Sequence, residues 1–389
     1  MSEILDIKRG SELELKIESL SYGGKGVAHY NDFVVFVKNA IPGQTVKAMV
    51  YRKKPGYAEA RSLDIIHESS KAVDAPCGHF GVCGGCKVQN LDYSEQIIEK
   101  TRQVEDSFDR LGGFSGFKLD KIVPADPIFN YRNKMEFTFS SNRWILKNES
   151  VDKGSLFALG LHIPGRYDKI LDIDDCHIQP KIGNKILSEA RDICLANPDL
   201  RPYEPKTHIG FLRYLMLRFG VRTDQIMVNM VTAYDDMNKL SPLIDGLLEN
   251  IPEITSIVNN VNTRKADVAF GEFETLIYGQ PVIEEKIRGL TFEISANSFF
   301  QTNTVQGEKL YDQVLNAAGL SGNEVVYDLY CGTGSISLYL ADHAKKVYGF
   351  EVIRSALEDA ERNAERNKIT NTQFMKANLD TFFKTGQLP

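Results

Sequence analysis

Three cysteines fall within one short stretch: Cys77, Cys83 and Cys86, the last two separated only by Gly84 and Gly85. Cysteines this close, in a chain with only six, usually bind a metal or form a disulfide. The two glycines let the backbone curl so that both sulfurs and neighbouring N–H groups face one point. Six cysteines in 389 residues are too few for a disulfide scaffold, and in a reducing compartment clustered thiols more often ligate metal.

A second constellation lies near the C-terminal end. The run Val325-Val-Tyr-Asp328-Leu-Tyr330-Cys331-Gly332-Thr-Gly334-Ser335 reads as a strand, a tight glycine turn and a helix start. It lacks the full G-x-G-x-x-G of a dinucleotide fingerprint. Asp328 ends the strand, where a carboxylate can hold a cationic or zwitterionic group while Gly332 and Gly334 permit close backbone approach. Glu351 ends the next strand, the place where a ribose diol is gripped in nucleotide-binding sheets. Two acids at successive strand ends, with a glycine turn between them, fit S-adenosylmethionine better than NAD.

These residues need elements to position them. The composition, 42% hydrophobic and 25% charged, is that of a soluble globular protein of two or three domains. No run approaches the ~18 apolar residues of a membrane span. The start, Met1 to Lys8, lacks a basic-then-apolar signal pattern, so a cytoplasmic, monomeric protein without a membrane partner is expected. The net charge of −6 does not advertise a nucleic-acid binder, but a local basic surface acts within a Debye length of about 8–10 Å.

Residues 10–66 alternate like short strands (13–18, 32–37, 44–51) with glycine and proline turns, which predicts a small barrel of the oligonucleotide-binding type. Arg52, Lys53, Lys54 and Arg61, interleaved with Tyr51 and Tyr57, suit phosphate contacts and base stacking, or equally a solvated hairpin tip. A helix is predicted over 93–111, with Ile97, Ile98, Val104, Phe108 and Leu111 on its apolar face and Gly112-Gly113 ending it. Strands at 134–139, 156–161, 212–219 and 225–231, interrupted by helical stretches at 180–197 and 237–251, predict an α+β middle. From about 297 helix and strand alternate: helices at 307–318, 335–342 and 355–367, strands at 324–329, 346–351 and 372–376. That order builds a parallel, doubly wound sheet.

Together these motifs resemble the RNA uracil-C5 methyltransferases, in the branch with an N-terminal TRAM domain and an iron–sulfur cluster, of the 23S ribosomal RNA 5-methyluridine type. Tyr22-Gly-Gly-Lys-Gly-Val-Ala28, Val35-Phe-Val37 and Ile41-Pro-Gly43 match the TRAM pattern. Cys77, Cys83, Cys86 and Gln89 match the signature C-x5-C-G-G-C-x-x-Q. Tyr131-Arg132-Asn133-Lys134 matches a central-domain element, and Asn297-Ser-Phe-Phe-Gln301-Thr-Asn303 matches F-x-Q-x-N. Asp328 to Gly334 and Phe350-Glu351 match the cofactor motifs.

The resemblance implies a multidomain fold: a TRAM barrel over 1–66, a central α+β domain with the cluster over 67–92 and 125–296, and a Rossmann-like methyltransferase domain over 93–124 and 297–389. It implies a [4Fe–4S] cluster with Cys176 as fourth ligand, zinc being the competing reading. It places cofactor contacts on Gln301, Tyr330, Ser335, Glu351 and Asn378, with Asp328, Gly332 and Gly334 shaping the site, although the family often has Asn at the position of Ser335. RNA contacts would fall on Arg52, Lys53, Lys54, Arg132 and Lys134. Core packing is expected for at least one of Phe299 and Phe300, and for Cys194.

The implied chemistry uses a cysteine thiolate that adds to uracil C6 and a glutamate base. The family's nucleophile follows an Asp-Pro-Pro-Arg motif at the end of the fourth strand, and no such motif occurs in this sequence. A C-terminally truncated, inactive member, with nucleophile and base beyond Pro389, is therefore expected. The alternatives are a non-catalytic RNA-binding protein that keeps the barrel and cluster, and a transfer RNA enzyme, since cluster-bearing members mostly act on 23S ribosomal RNA while relatives modify transfer RNA.

Overall fold

A computed structural model describes residues 7–146, 149, 156–265, 268–379 and 384; most of the N-terminal stretch read for a signal pattern (1–6) and the final residues (385–389) lie outside them. The chain divides into two compact units, Met1–Pro124 and Ala125–Pro389.

In the first unit, β1 (Glu12–Lys16), β2 (Ser19–Leu20), β3 (Gly26–Tyr30), β4 (Phe33–Lys38), β5 (Thr45–Lys53) and β6 (Tyr57–His67) form one sheet in the order β1-β5-β6-β4-β3-β2. Successive side chains of a strand face opposite sides, so alternate residues make the core. Leu13 and Leu15, Val35 and Val37, Val46, Ala48 and Val50, and Ala58 and Ala60 fill it, together with Ile17. This is the small unit of short strands that the alternation predicts.

Helix α1 (Tyr93–Asp106) starts where the Asp92 carboxylate accepts the Ser94 N–H at 2.9 Å. It runs on through a π-helical turn, Ser107–Leu111, to Gly112. The predicted apolar face is not its buried face: Ile98, Val104 and Phe108 are exposed, and Leu111 is 87% exposed. The buried residue of α1 is Glu99, whose carboxylate accepts the Leu20 N–H at 2.7 Å and pairs with Arg102. Gln103 donates to the carbonyls of Leu20 and Ser21, both at 3.2 Å. The sequence grouped 93–124 with the C-terminal sheet, whereas these polar anchors tie α1 to the strands of the first unit.

The second unit begins with β7 (Lys134–Ser140), β8 (Ala158–Ile163), β9 (Arg166–Asp172), α2 (Lys181–Ala196), β10 (Leu212–Phe219), β11 (Ile226–Thr232), α3 (Met237–Asn250), β12 (Ser256–Val261) and β13 (Phe273–Gly279). Their strands make a seven-stranded sheet in the order β13-β12-β11-β10-β7-β8-β9. Every residue of β10, β11 and β12 is buried, which requires cover on both faces. The hairpin β14 (Val282–Ile287) and β15 (Leu290–Ser295) follows. Then come α4 (Thr304–Ala318), β16 (Val325–Leu329), α5 (Ser335–Ala341), β17 (Lys346–Glu351), α6 (Arg354–Arg366) and β18 (Thr372–Lys376). The last three strands pair in parallel in the order β16-β17-β18, as the helix–strand alternation predicts. One core joins the two sheets through the hairpin: Met227 and Val258 pack with Ile283, Phe292, Phe300, Tyr311 and Leu338. β16 is an outer strand, and Val325, Tyr327 and Leu329 on it are exposed.

A buried carboxylate locks this junction. Glu285 of β14 is fully buried and accepts from the backbone N–H groups of Val221 at 2.8 Å, Arg222 at 3.1 Å and Lys286 at 2.9 Å, and from the Thr304 hydroxyl at 2.7 Å. Removing it takes the acceptor from the buried Thr304 hydroxyl and from three backbone N–H groups at once. We expect Glu285→Ala to cost about 3 kcal/mol or more in equilibrium urea unfolding; a loss below about 1 kcal/mol would contradict this role.

Candidate functional site

The C-terminal ends of the parallel strands converge on the glycine turn. Three residues there take left-handed backbone: Tyr330 (φ 65°), Gly332 (φ 55°) and Gly334 (φ 76°). Only the glycines do so without steric cost, so Tyr330 is strained; the residue is 69% exposed. The turn is closed by backbone and carboxylate together. Cys331 N–H donates to the Phe350 carbonyl at 3.0 Å, and Gly332 N–H donates to Glu351 Oε2 at 3.2 Å. The other Glu351 oxygen accepts from Val352 at 2.7 Å and Ile353 at 3.0 Å. A carboxylate has about four acceptor positions, so one remains for a hydroxyl.

The two glycines differ in their surroundings. A Cβ at Gly334 would lie 2.9 Å from Ala360 Cβ and Phe374 Cζ, whereas a Cβ at Gly332 meets nothing within 4 Å. Gly334 is required by packing, and Gly332 faces open space. Asp328 behaves differently from the expectation of an open carboxylate. It accepts the Ser337 hydroxyl at 2.6 Å, and burial pushes its carboxyl above the ordinary carboxylate range. Its visible work is to tie β16 to α5. Ser335 Oγ lies 2.8 Å from the buried Tyr311 hydroxyl, and Asn378 is exposed just past β18.

The 297–303 loop is brought to this turn by the central domain. Asn133 uses both amide hydrogens: Nδ2 donates to the Gln301 carbonyl at 2.8 Å and to the Thr304 hydroxyl at 2.9 Å, and that hydroxyl in turn donates to Glu285. Asn133 N–H also donates to the Thr302 carbonyl at 2.8 Å. Buried Arg218 donates to the carbonyls of Ala296 and Ser298. Burial lowers its pKa to about 10, so it stays charged at neutral pH. Thr333 Oγ1 lies 3.5 Å from the Phe299 carbonyl, which connects the loop to the glycine turn. Phe300 packs in the core, as expected for one of the pair, while Phe299 is 69% exposed. Asn133 and Arg218 are positioning residues. Asn133 is visible in the sequence only as part of a motif and Arg218 not at all, because an arginine inside a hydrophobic strand carries no pattern of its own.

The four candidate cysteine ligands fall in both units. Cys77, Cys83 and Cys86 lie on a loop of the first unit, and Cys176 lies in the second. Burial pushes the Cys83 thiol up, with Cys86 and Cys77 near enough to add to the effect, and Gly85 N–H approaches its sulfur at 3.3 Å. Thiol donors of this kind suit an iron–sulfur cluster or zinc. Among the described residues, however, no group of three His, Cys, Asp or Glu side chains is arranged to hold a metal ion. Cys194 is a core residue and Cys331 is buried in the glycine turn; burial pushes both thiols up to about 12.

The basic candidates separate into engaged and open groups. Arg52 pairs with Glu59 at 3.4 Å, Arg132 Nε donates to the Lys134 carbonyl at 2.9 Å, and Lys134 pairs with Glu136 at 2.6 Å. Burial beside Arg218 holds the Lys134 ammonium below its ordinary pKa. Lys53 lies over the Phe33 ring and Lys54 is exposed. A groove elsewhere on the first unit gathers Arg9, Lys38 and Arg61 beside Met49 and Tyr51, with Lys38 Nζ 5.0 Å from the Tyr51 ring centroid. Among the described residues none of the three cations has an ion-pair partner, and no acidic side chain lines the groove. Phosphate binding with base stacking uses such a surface. Arg9 and Lys38 escape a sequence reading because β4, β6 and the chain entering β1 bring them together only in the fold.

Residues 7–63 match the TRAM domain, and residues 274–385 match the family described as tRNA (Uracil-5-)-methyltransferase. An RNA methyltransferase of Chlorobaculum tepidum is 43% identical over 346 residues, 88% of this chain and 71% of the relative. RNA methyltransferases of Porphyromonas gingivalis and Halalkalibacterium halodurans are 37% and 35% identical, covering 94% and 95% of this chain and 80% and 78% of their own lengths. Among solved structures, the tRNA (uracil-54, C5)-methyltransferase of Pyrococcus abyssi in complex with S-adenosyl-L-homocysteine is similar at TM-score 0.69 and 26% identity, over 93% of this chain and 79% of that one.

Two outcomes follow from the geometry. Gly334→Ala is expected to cost roughly 2–4 kcal/mol, strain and overpacking together, and Gly332→Ala roughly 1–2 kcal/mol from strain alone; equal losses in urea unfolding would contradict the assignment. Replacing Arg9, Lys38 and Arg61 together with glutamine is expected to flatten the slope of log K against log salt for single-stranded RNA by about 2. An unchanged slope, measured by fluorescence anisotropy, would remove the groove from the RNA interface.

Proposed function

This chain belongs to the RNA uracil-5 methyltransferase family, and from that premise we propose that it serves S-adenosylmethionine-dependent methylation of uracil C5 in 23S ribosomal RNA. The observation that carries the cofactor reading is the cradle at the strand ends. Glu351 closes the glycine turn with one acceptor position to spare, Gly332 opens onto free space, and Gln301 is pinned beside it through Asn133. Bound S-adenosylmethionine supplies an electrophilic methyl group on its sulfonium. Glu351 would accept from the ribose hydroxyls, Asn378 would reach the adenine edge, Tyr330 and Ser335 would flank the turn, and Gln301 would contact the methionine moiety.

Uracil C5 is too weak a nucleophile to take the methyl unaided. In the proposed chemistry a cysteine thiolate adds to C6 and makes C5 enolate-like. C5 takes the methyl, a carboxylate base removes the C5 proton, and the thiolate departs as the C5–C6 double bond re-forms. The target base must leave its stack to reach such a site. We place the nucleophile on none of the six cysteines of residues 1–389. Burial keeps Cys194 and Cys331 as thiols at neutral pH, and the resemblance assigns Cys77, Cys83, Cys86 and Cys176 to a [4Fe–4S] cluster. Support for the cluster is the signature itself and the mutual influence of the three loop thiols. The same signature favours the ribosomal branch, while transfer RNA is the substrate named for the Pyrococcus enzyme.

Residues 1–389 are expected to bind S-adenosylhomocysteine but to pass no labelled methyl from S-adenosylmethionine to unmodified RNA. Deleting the gene is expected to remove 5-methyluridine from a 23S ribosomal RNA position, read by mass mapping. Steady label transfer by residues 1–389 would overturn the placement of the nucleophile, and a loss confined to transfer RNA would overturn the substrate.

A further inference from the structure

The second unit holds a cavity of about 190 Å³ lined by residues of β7, β8 and β9 and by the 203–206 segment. It belongs to the opposite end of the seven-stranded sheet from β11 and β12, the strands whose Met227 and Val258 share a core with the methyltransferase elements. It is a pocket open to solvent rather than an interior void. It is also smaller than the ~300–1,000 Å³ typical of sites for drug-sized ligands.

Its lining combines flat rings with a few polar edges. Tyr203 carries the Arg213 guanidinium 4.4 Å from its ring centroid. Arg213 is buried and donates to the carbonyls of Asn262 at 2.8 Å and Arg264 at 2.7 Å, while the Tyr203 hydroxyl lies 2.8 Å from His208 Nδ1. The Tyr203 ring is therefore a fixed platform. Tyr167 also lines the cavity and is 84% exposed, an unusual state for an aromatic ring beside a pocket. His162 Nε2 lies 3.5 Å from the Thr138 hydroxyl, and its Nδ1 is buried with no hydrogen-bond partner among the described residues. Lys206 supplies a cation in the same lining, which also holds the carboxylates of Glu204 and of Asp168, the latter paired with Arg166 at 3.0 Å.

Rings for stacking, a hydroxyl and an imidazole for edge contacts, and a nearby ammonium are what recognise an unstacked base and its phosphate in single-stranded RNA. We propose that this cavity takes one nucleobase of the RNA substrate, a base other than the uridine presented to the cofactor cradle. The assignment rests on the reading of the protein as an RNA enzyme. Tyr167 and Tyr203 provide the stacking surfaces, Thr138 and His162 contact the base edge, and Lys206 meets the phosphate. The cavity thereby fixes the register of the RNA rather than taking part in the chemistry.

The test is photo-crosslinking of the full chain to a single-stranded RNA of mixed sequence, about 12 nucleotides long, carrying 4-thiouridine for uridine. Crosslinks are expected on peptides containing Tyr167 or Tyr203. Tyr167→Ala is expected to abolish them and to weaken RNA binding about 10-fold, with affinity for S-adenosylhomocysteine unchanged as the check on folding. Crosslinks confined to other peptides, or wild-type RNA affinity in Tyr167→Ala, would overturn the pocket and leave the RNA reading standing. A wild-type chain that binds no RNA would overturn both.

Discussion

The site depends on two hydrogens of one side-chain amide. Asn133 Nδ2 donates one to the Gln301 carbonyl and the other to the Thr304 hydroxyl, and that hydroxyl donates in turn to the buried Glu285. The first bond fixes the loop that carries Gln301 and Phe299. The second fixes the start of α4, where the Asn303 side chain accepts the Gln306 N–H at 3.0 Å. Through Glu285 the same chain of bonds reaches the β10–β11 turn. An amide can satisfy two acceptors at once only where both are held in place, so this network couples the large sheet to the cofactor elements.

Around that anchor the second unit stores strain where a ligand would bind. Tyr330 keeps a left-handed backbone that a side chain pays for, and the carboxylate of Glu351 holds the turn that follows. Such strain persists only when the surroundings over-determine it, and the bonds from Cys331, Gly332 and Thr333 do so. The same arrangement closes Cys331 off inside the turn: it is buried against Gly349 and its thiol is pushed up, which disfavours the thiolate.

Much of the fold was legible because periodicity and burial agree. β10, β17 and β18 begin and end where hydrophobic runs and alternation place them, and α4, α5 and α6 differ from the reading by a few residues at most. Glu351 was legible as a candidate because it ends the strand that follows the glycine turn. What was not legible depended on partners distant in sequence. β12 reads Ser-Ile-Val-Asn-Asn-Val, a poor strand by composition, yet Asn260 is fully buried because Asn229 and Asn297 complete its bonds. On α1 the apolar periodicity misled: the helix is anchored through Glu99 and Gln103, whose partners at Leu20 and Ser21 lie far away in the chain. Arg9 and Lys38 likewise acquire meaning only beside Arg61 in the folded sheet.

The central claim is that the cradle formed by Glu351, the glycine turn and the Asn133-anchored loop is the cofactor site. Calorimetric titration of S-adenosylhomocysteine into the wild-type chain and into Glu351→Ala tests it most directly. The account predicts saturable one-to-one binding by the wild type and an affinity about 100-fold lower in Glu351→Ala, a loss of roughly 3 kcal/mol for a charged acceptor that also shapes the turn. Equal affinity in the two proteins would contradict it.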